Sequence, residues 1–281
     1  MAWANEISSC IALGLLQGIL GTALFLTLRI LNFTDLTCEG SFVFGACVSS
    51  MLLGRGYGVC VSVATAFAAG GVAGLCTGVL NIVFKVKDIL AGILVAFMLY
   101  SINLRIMGVP NITLPENVAI GGVYLFGFGI VCILGYLLTT DWGLAFRSVG
   151  QNQALAKTTG VSVKKMTFIG LALSNALIGL SGSLFSINQG FCDIGSGTGL
   201  LIVGLASVII GEKVLPFRSF YLKILGCFFG SVLYRFFICL ALNLDSSQLK
   251  PSDVNIVTGL LILAFMSSKI TFRRRLTCPS S

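Results

Sequence analysis

Long apolar runs separated by short polar breaks recur along the whole chain. They are too long and too continuous for the alternating pattern of half-buried strands. A bilayer core of about 30 Å takes roughly 20 apolar residues as a helix, so each long run predicts a membrane helix. About nine passes follow, at roughly residues 8–28, 40–54, 57–83, 89–108, 119–140, 166–188, 197–211, 219–241 and 254–269. The second and seventh are glycine-rich and only marginally long enough to span. They suit helices broken or steeply packed inside the bundle, where neighbouring protein can satisfy their backbone. The predicted fold is all-α, a polytopic membrane helical bundle forming one domain over 1–281.

The stretch 141–165 breaks the pattern, being too polar and too basic to lie in lipid. Within it, Asn152 to Gly160 is punctuated as a short helix. An Asn side chain accepts from orphan N–H groups at a helix start, and Gly takes the left-handed conformation that ends one. Ser162 then stands where the next membrane helix is capped. A helix of about two turns is not stable alone in water. This one is expected to be held against the membrane domain and offered to a partner.

Laid side by side, the passes repeat at an offset of about 160 residues. Asp35 is followed by Gly40, Gly45 and Gly54, and Asp193 by Gly199, Gly204 and Gly211. Four passes, one connecting pass and four inverted ones make an inverted repeat of the transporter kind. Close packing between helix backbones is the competing reading of the same glycines.

Composition agrees with membrane insertion: 56% of residues are hydrophobic, 10% are charged, and the mean hydropathy is +1.00. The start, MAWANEISSC, has no basic region or small-residue cleavage site, so the first apolar run is expected to be a retained helix. The net charge of +8 reflects orientation and not nucleic-acid binding, because the basic residues fall at helix ends. With the N-terminus outside, every Lys and Arg except Arg55, Arg105, Arg235 and Lys250 lies at or near the cytoplasmic face. The loop 141–165, the basic tail 270–281 and the C-terminus are then cytoplasmic, and Trp3 and Trp142 mark opposite interfaces.

Chemistry is sparse. There is no His, and the ten Cys lie mostly inside apolar runs with no C-x-x-C pair. They read as small buried hydrophobes, and no metal site or cofactor is expected. No Walker P-loop, G-x-S-x-G or H-E-x-x-H motif is present, so the chain has no ATP site or catalytic constellation of its own. Ionisable and polar residues inside a membrane are expensive and therefore candidates. Asp35 and Glu39 are candidates for gating near the cytoplasmic side, or else loop carboxylates paired with Arg29. Asn103, Arg105, Asn175, Gln189, Asp193 and Arg235 are candidates for a translocation pathway. The alternatives are an interhelical hydrogen bond for Asn103, Asn175 and Gln189, and snorkelling for Arg105. Arg235, deep in the eighth pass, needs a partner if it faces the bundle, and Asp193 is the first choice.

The stretch GLAFRSVGQNQALAKTTGVSVKKMTFIGLALSNALIGLSGSLFSINQGFCDIGSGTGLLIVGLASVIIGE resembles the signature region of permease subunits of the branched-chain amino acid and ribose class of ABC importers. LNFTDLTCEGSFVFGA and ILAGILVAFMLYSINLRIMGVPNI narrow the resemblance to the tryptophan/tyrosine-type subgroup. It runs from about Gly18 to Ile270. It implies a bacterial inner-membrane permease for a small solute, such as an aromatic amino acid, without enzymatic activity of its own. The implied partners are cytoplasmic ABC ATPase subunits, an extracytoplasmic solute-binding (lipo)protein and a second permease copy. Arg147, Gly150, Asn152, Ala154 and Gly160 would then belong to a coupling helix seated on the ATPase. Gln151 and Gln153 depart from the acidic residue usual in related permeases, and Lys157 adds charge nearby. A gradient-driven secondary transporter is the alternative; a membrane enzyme or scaffold lacks supporting residues.

Overall fold

The computed structural model describes residues 2–114, 121–214, 220–243 and 256–265. The expected tail 270–281 lies outside them. Helix α1 (Ala2–Phe25) runs on through a π-helical turn, Leu26–Ile30. Then come α2 (Thr37–Gly54), α3 (Val59–Ile82), α4 (Asp88–Met107), strand β1 (Asn111–Thr113), α5 (Gly121–Leu137), α6 (Asp141–Gln151) and α7 (Gln153–Thr158). The second part holds α8 (Val163–Gln189), β2 (Phe191–Asp193), a 3-10 turn (Ile194–Gly197), α9 (Leu200–Val214) and α10 (Phe220–Asn243). A short apolar helix, α11 (Ile256–Phe265), follows.

Among the described residues, seven helices are long and apolar enough to cross a membrane. The number reaches eight if α5 and α6, bent by 76° at their junction, form one span. All nine predicted passes have a helical counterpart, yet nine crossings are not reached. The fifth qualifies only together with α6, and the ninth is described over a stretch shorter than a crossing. The two strands were not expected. They pair antiparallel, Asn111 with Asp193 and Thr113 with Phe191, and tie the end of α4 to the end of α8.

Helix α8 forms the centre, and its segment from Ser174 to Leu184 is entirely buried. Small side chains let backbones approach it, which matters because lipid tails supply no hydrophobic drive between helices. Gly74 faces the Leu171 carbonyl, Gly70 the Asn175 carbonyl and Gly45 the backbone of Gly179 so closely that an added Cβ would collide. Gly14 likewise brings α1 against the backbone of Val232 on α10, and Gly18 leaves room there for the Phe228 ring. Ser174 and Ser181 of α8 donate to the carbonyls of Ala23 (3.0 Å) and Leu16 (2.9 Å) of α1, so these two helices lie side by side and antiparallel.

Exchanging α1 with α8, α2 with α9 and α3 with α10 maps these pairings onto each other. Helix α2 runs toward the α8 C-terminus, where Ser50 Oγ donates to Ser186 Oγ at 3.4 Å. Helix α9 runs the opposite way, to Glu212 beside Arg29 in the π-helical turn that follows α1. The two glycine-rich helices are therefore inverted relative to each other, as the repeat requires.

Replacing Gly74 by Val is predicted to destabilise the bundle by about 1–3 kcal/mol, the usual range for overpacking, because a carbonyl and not a movable side chain occupies the space. The check is the monodisperse fraction in detergent gel filtration as temperature is raised. Unchanged behaviour would contradict the packing described.

Candidate functional site

Two helices begin inside the bundle, and they begin facing each other. After the π-helical turn the chain reverses through Asn32, whose φ of 53° is one that Asn tolerates better than most residues. Phe33 N–H donates back to the Thr27 carbonyl at 2.9 Å. Segment 31–36 then re-enters the protein, with Leu31, Phe33 and Asp35 buried. Asp35 is fully buried and prepares the start of α2, its Oδ1 accepting from Thr37 N–H at 2.8 Å. Its Oδ2 accepts from Asn175 Nδ2 at 2.6 Å, near the middle of the 27-residue α8. Asn175 Nδ2 also donates to the Leu171 carbonyl (3.0 Å), and its Oδ1 accepts from Ser41 Oγ. Thr37 and Thr77 hydroxyls meet at 2.7 Å and join the network to α3.

From the other side, the chain descends from β2 through the 3-10 turn to Gly199, where α9 starts. Gly199 N–H donates to Glu39 Oε1 at 3.0 Å. Gly197 lies so near the Glu39 carbonyl that a side chain there would not fit. Helix starts carry partial positive charge and unpaired N–H groups. Two of them together repel, so a carboxyl group at each start is the physical remedy: Asp35 serves α2 and Glu39 serves α9.

A cavity of about 360 Å³ opens at this junction, between α2, α4 and the 3-10 turn. Its walls include Leu36, Glu39, Tyr100, Asn103, Ile194 and Thr198. Asn103 is 1% exposed, and among the described residues its buried Oδ1 has no hydrogen-bond partner. A buried polar atom of this kind is an acceptor left open. A larger cavity of about 700 Å³ between α3, α5 and α8 is lined by aliphatic side chains with Phe67 and Cys60. It has volume but no charged or amide group to orient a polar solute.

At the far end of α1 lie α6 and α7. Helix α6 buries Gly143, Phe146 and Val149 at a spacing of three residues. Gly150 rests on the Ile30 carbonyl, where any side chain would collide. Asn152 then caps α7, its Oδ1 accepting from Ala154 N–H (3.0 Å) and Leu155 N–H (3.1 Å). Gly160, at φ 81°, follows the helix end. Ser162 stands at the start of α8 but makes no side-chain cap bond there. Of the six α7 residues only Ala156 is buried, and Leu155 is 60% exposed.

A family model described as "Branched-chain amino acid transport system / permease component" matches residues 7–266. The chain belongs to this family of transport permeases. It is 36% identical over 272 residues to a tyrosine transport system permease protein of Clostridioides difficile, covering 94% of this chain and 91% of that one. An uncharacterized protein of Rickettsia prowazekii is 32% identical over 261 residues, covering 87% and 91%. The autoinducer 2 import system permease protein LsrC of Escherichia coli O9:H4 is 27% identical over 248 residues, covering 83% and 69%. No solved structure gives a significant match. The permease is a multi-pass membrane protein of the ABC importer class and a transport component by family.

The structure of the permease brings some of the predicted residues together and separates others. Asp35, Glu39, Asn103 and Asn175 converge on the junction, with both amide hydrogens of Asn175 donated and its Oδ1 accepting within the network. Asp193 lies just above, in β2, while Gln189 is exposed at the end of α8 and Arg105 is exposed near the end of α4. Arg147, partly buried on α6, directs Nε toward the Gly143 carbonyl at 3.4 Å.

Two expected pairings are corrected. Arg235 donates from Nε to Gln17 Oε1 at 2.6 Å and not to Asp193. The glycine contacts of α1 with α10 set Gln17 there, while the sheet holds Asp193 elsewhere. Arg29 pairs neither with Asp35 nor with Glu39 but with Glu212, at 2.6 Å, because segment 31–36 turns back into the bundle and carries both carboxyls away from it. Glu212 and Gln17 were missed. Their partners lie 183 and 218 residues away, and no local pattern marks either pair.

Asp35→Asn is predicted to oppose two amide donors across the Asp35–Asn175 contact and to destabilise the permease by about 1–3 kcal/mol. The exchange Asp35→Asn with Asn175→Asp restores one donor facing one acceptor and should recover most of that loss in detergent thermal unfolding. A double variant no better than the single one would show that the contact is not what matters.

Proposed function

We propose that this permease is the membrane subunit of an ABC importer for a small amino acid with an apolar or aromatic side chain. Two copies form the pathway, a separate ATPase drives it, and an extracytoplasmic binding protein delivers the solute. The observation that carries the reading is α7: a capped helix, exposed on all but one residue, fixed through Gly150 to the segment that leads into the junction. From the Ile30 carbonyl to Asp35 is five residues of chain, so displacement of α6 and α7 is passed to the start of α2 through packed backbone. A flexible loop would absorb it. The basic residues Arg147, Lys157, Lys164 and Lys165 support a cytoplasmic position for this end in a bacterial inner-membrane protein, which would put β1 and β2 on the outer side.

On this reading Arg147, Asn152, Ala154 and Gly160 shape or support the docking element, while Gly150 anchors it from behind. The cavity supports the solute class. The open acceptor of Asn103 and the Glu39 carboxyl suit an ammonium group, and Tyr100 and Phe97 with aliphatic neighbours suit an apolar or aromatic side chain. The similarity to a tyrosine transport system permease protein of Clostridioides difficile points the same way. The gradient-driven alternative has one supporting observation, the buried carboxyl of Asp35, against which no cation stands among the described residues.

Co-purification with the candidate ATPase separates the readings. Ala154→Arg with Leu155→Arg should weaken ATPase association at least tenfold, about 1.4 kcal/mol or more, without lowering permease stability. Gly150→Ala should lower stability first, since its collision is internal. Uptake in vesicles that follows a proton or sodium gradient, with no ATPase bound to the unaltered chain, would overturn the importer reading. A second expectation concerns the cavity: Asn103→Leu should reduce solute uptake roughly tenfold while ATPase association is unchanged. Equal loss of both would indicate a structural role only.

A further inference from the structure

Three sulfur atoms from distant parts of the chain meet one turn beyond the junction cavity. Cys47 Sγ on α2 lies 3.0 Å from Met107 Sδ at the end of α4. Cys192 Sγ in β2 lies 3.9 Å from Cys47 Sγ and 4.0 Å from Met107 Sδ. Their residues are 0%, 6% and 2% exposed, in the order Cys47, Met107, Cys192. Among the described residues no three His, Cys, Asp or Glu side chains converge; here a thioether completes the set.

We propose that Cys47, Cys192 and Met107 form a binding site for a soft monovalent metal ion, Cu(I) or its analogue Ag(I). Metal–sulfur bonds of about 2.3 Å in a trigonal plane require sulfur separations of about 4 Å. Two of the three separations have that value already. The third opens by about 1 Å through the Met107 side chain, which has three rotatable bonds and adapts easily. Thiol, thiolate and thioether donors select Cu(I) over the hard cations, which prefer oxygen, and a three-sulfur set falls short of the four ligands of structural zinc.

Binding breaks one S–H bond, forms a metal–thiolate bond and releases the proton to water. The thiolate balances the single positive charge of the ion, so the occupied site is neutral, as low-dielectric surroundings require. No electron is transferred.

Access comes from the cavity. Val43 and Asn103 in its wall each lie four residues, one helical turn, before Cys47 and Met107, and Ile194 lies two residues after Cys192. A bound ion would fasten α2, α4 and β2 to one another at the strand end of the cavity. The site rests on geometry alone and stands apart from the solute reading above.

The test is anaerobic titration of the full-length reduced protein in detergent with Cu(I), competed by a chromogenic Cu(I) chelator. The unaltered chain should hold one equivalent, with X-ray absorption showing sulfur-only ligation near 2.3 Å. That equivalent should be lost in Cys47→Ser and in Cys192→Ser, and held at least tenfold more weakly in Met107→Leu, whose similar volume preserves packing. It should persist in Cys227→Ser, a buried cysteine of α10. Bound Cu(I) should raise the unfolding temperature of the unaltered chain and not of Cys47→Ser. Retention of the equivalent in both serine variants, or nitrogen or oxygen ligation in the spectrum, overturns the proposal. A Cys47–Cys192 disulfide in protein purified without reductant overturns it as well, because two of the three ligands are then consumed.

Discussion

A helix that begins inside a membrane bundle must bring partners for its first N–H groups, because lipid offers none. Here two helices begin at the same depth and point their positive ends at each other. Asp35 and Glu39 answer this with carboxyl oxygens bonded to Thr37 N–H and Gly199 N–H. Asn175 then holds Asp35 against α8, and the threonine pair holds α2 against α3. The close glycine packing around α8 follows from the same demand, since these hydrogen bonds form only if the backbones lie near one another. By comparison the Arg29–Glu212 pair is half exposed on its arginine side, where such pairs contribute about 0–1 kcal/mol. The buried network, and not the surface ion pair, is what the fold depends on.

On the proposed reading, the broken helices also explain why the junction is suited to a solute. A continuous helix presents a satisfied backbone, whereas two interrupted ones leave a gap at their meeting point with acceptors beside it. Asn103 borders that gap with an open carbonyl oxygen. On the proposed reading, α7 and the junction are ends of one short rigid path through Gly150, Ile30 and Leu31. The exposed end receives a displacement and the buried end changes the cavity.

Legibility differed by the range of the interaction. Asn152 and Gly160 were readable as the limits of a short helix because a cap bond spans two or three residues. The two glycine-rich passes and their offset were readable because small residues leave a trace in composition. Asp35 and Glu39 were readable as unusual, yet their partners were not: Arg29 stood nearest in the chain but turned outward to Glu212. Strands β1 and β2 are three residues each, too short to show alternation. The role of Gly150 shifted for the same reason, since only the folded chain sets it against Ile30.

The amino-acid pattern by itself determined an all-α membrane bundle with an inverted plan, a capped polar helix between its halves and an expensive pair of acidic residues near an interrupted pass. Hydropathy, helix caps and backbone packing are set by residues close in the chain, so their signature is local. Tertiary structure alone decided that the two interrupted helices start face to face, that Asn175 and not Arg29 partners Asp35, that Arg235 meets Gln17, and that Cys47, Met107 and Cys192 converge. These pairings join residues 60 to 218 positions apart, and what brings them together is the crossing of helices along glycine faces, a property of the packed bundle and not of any one segment.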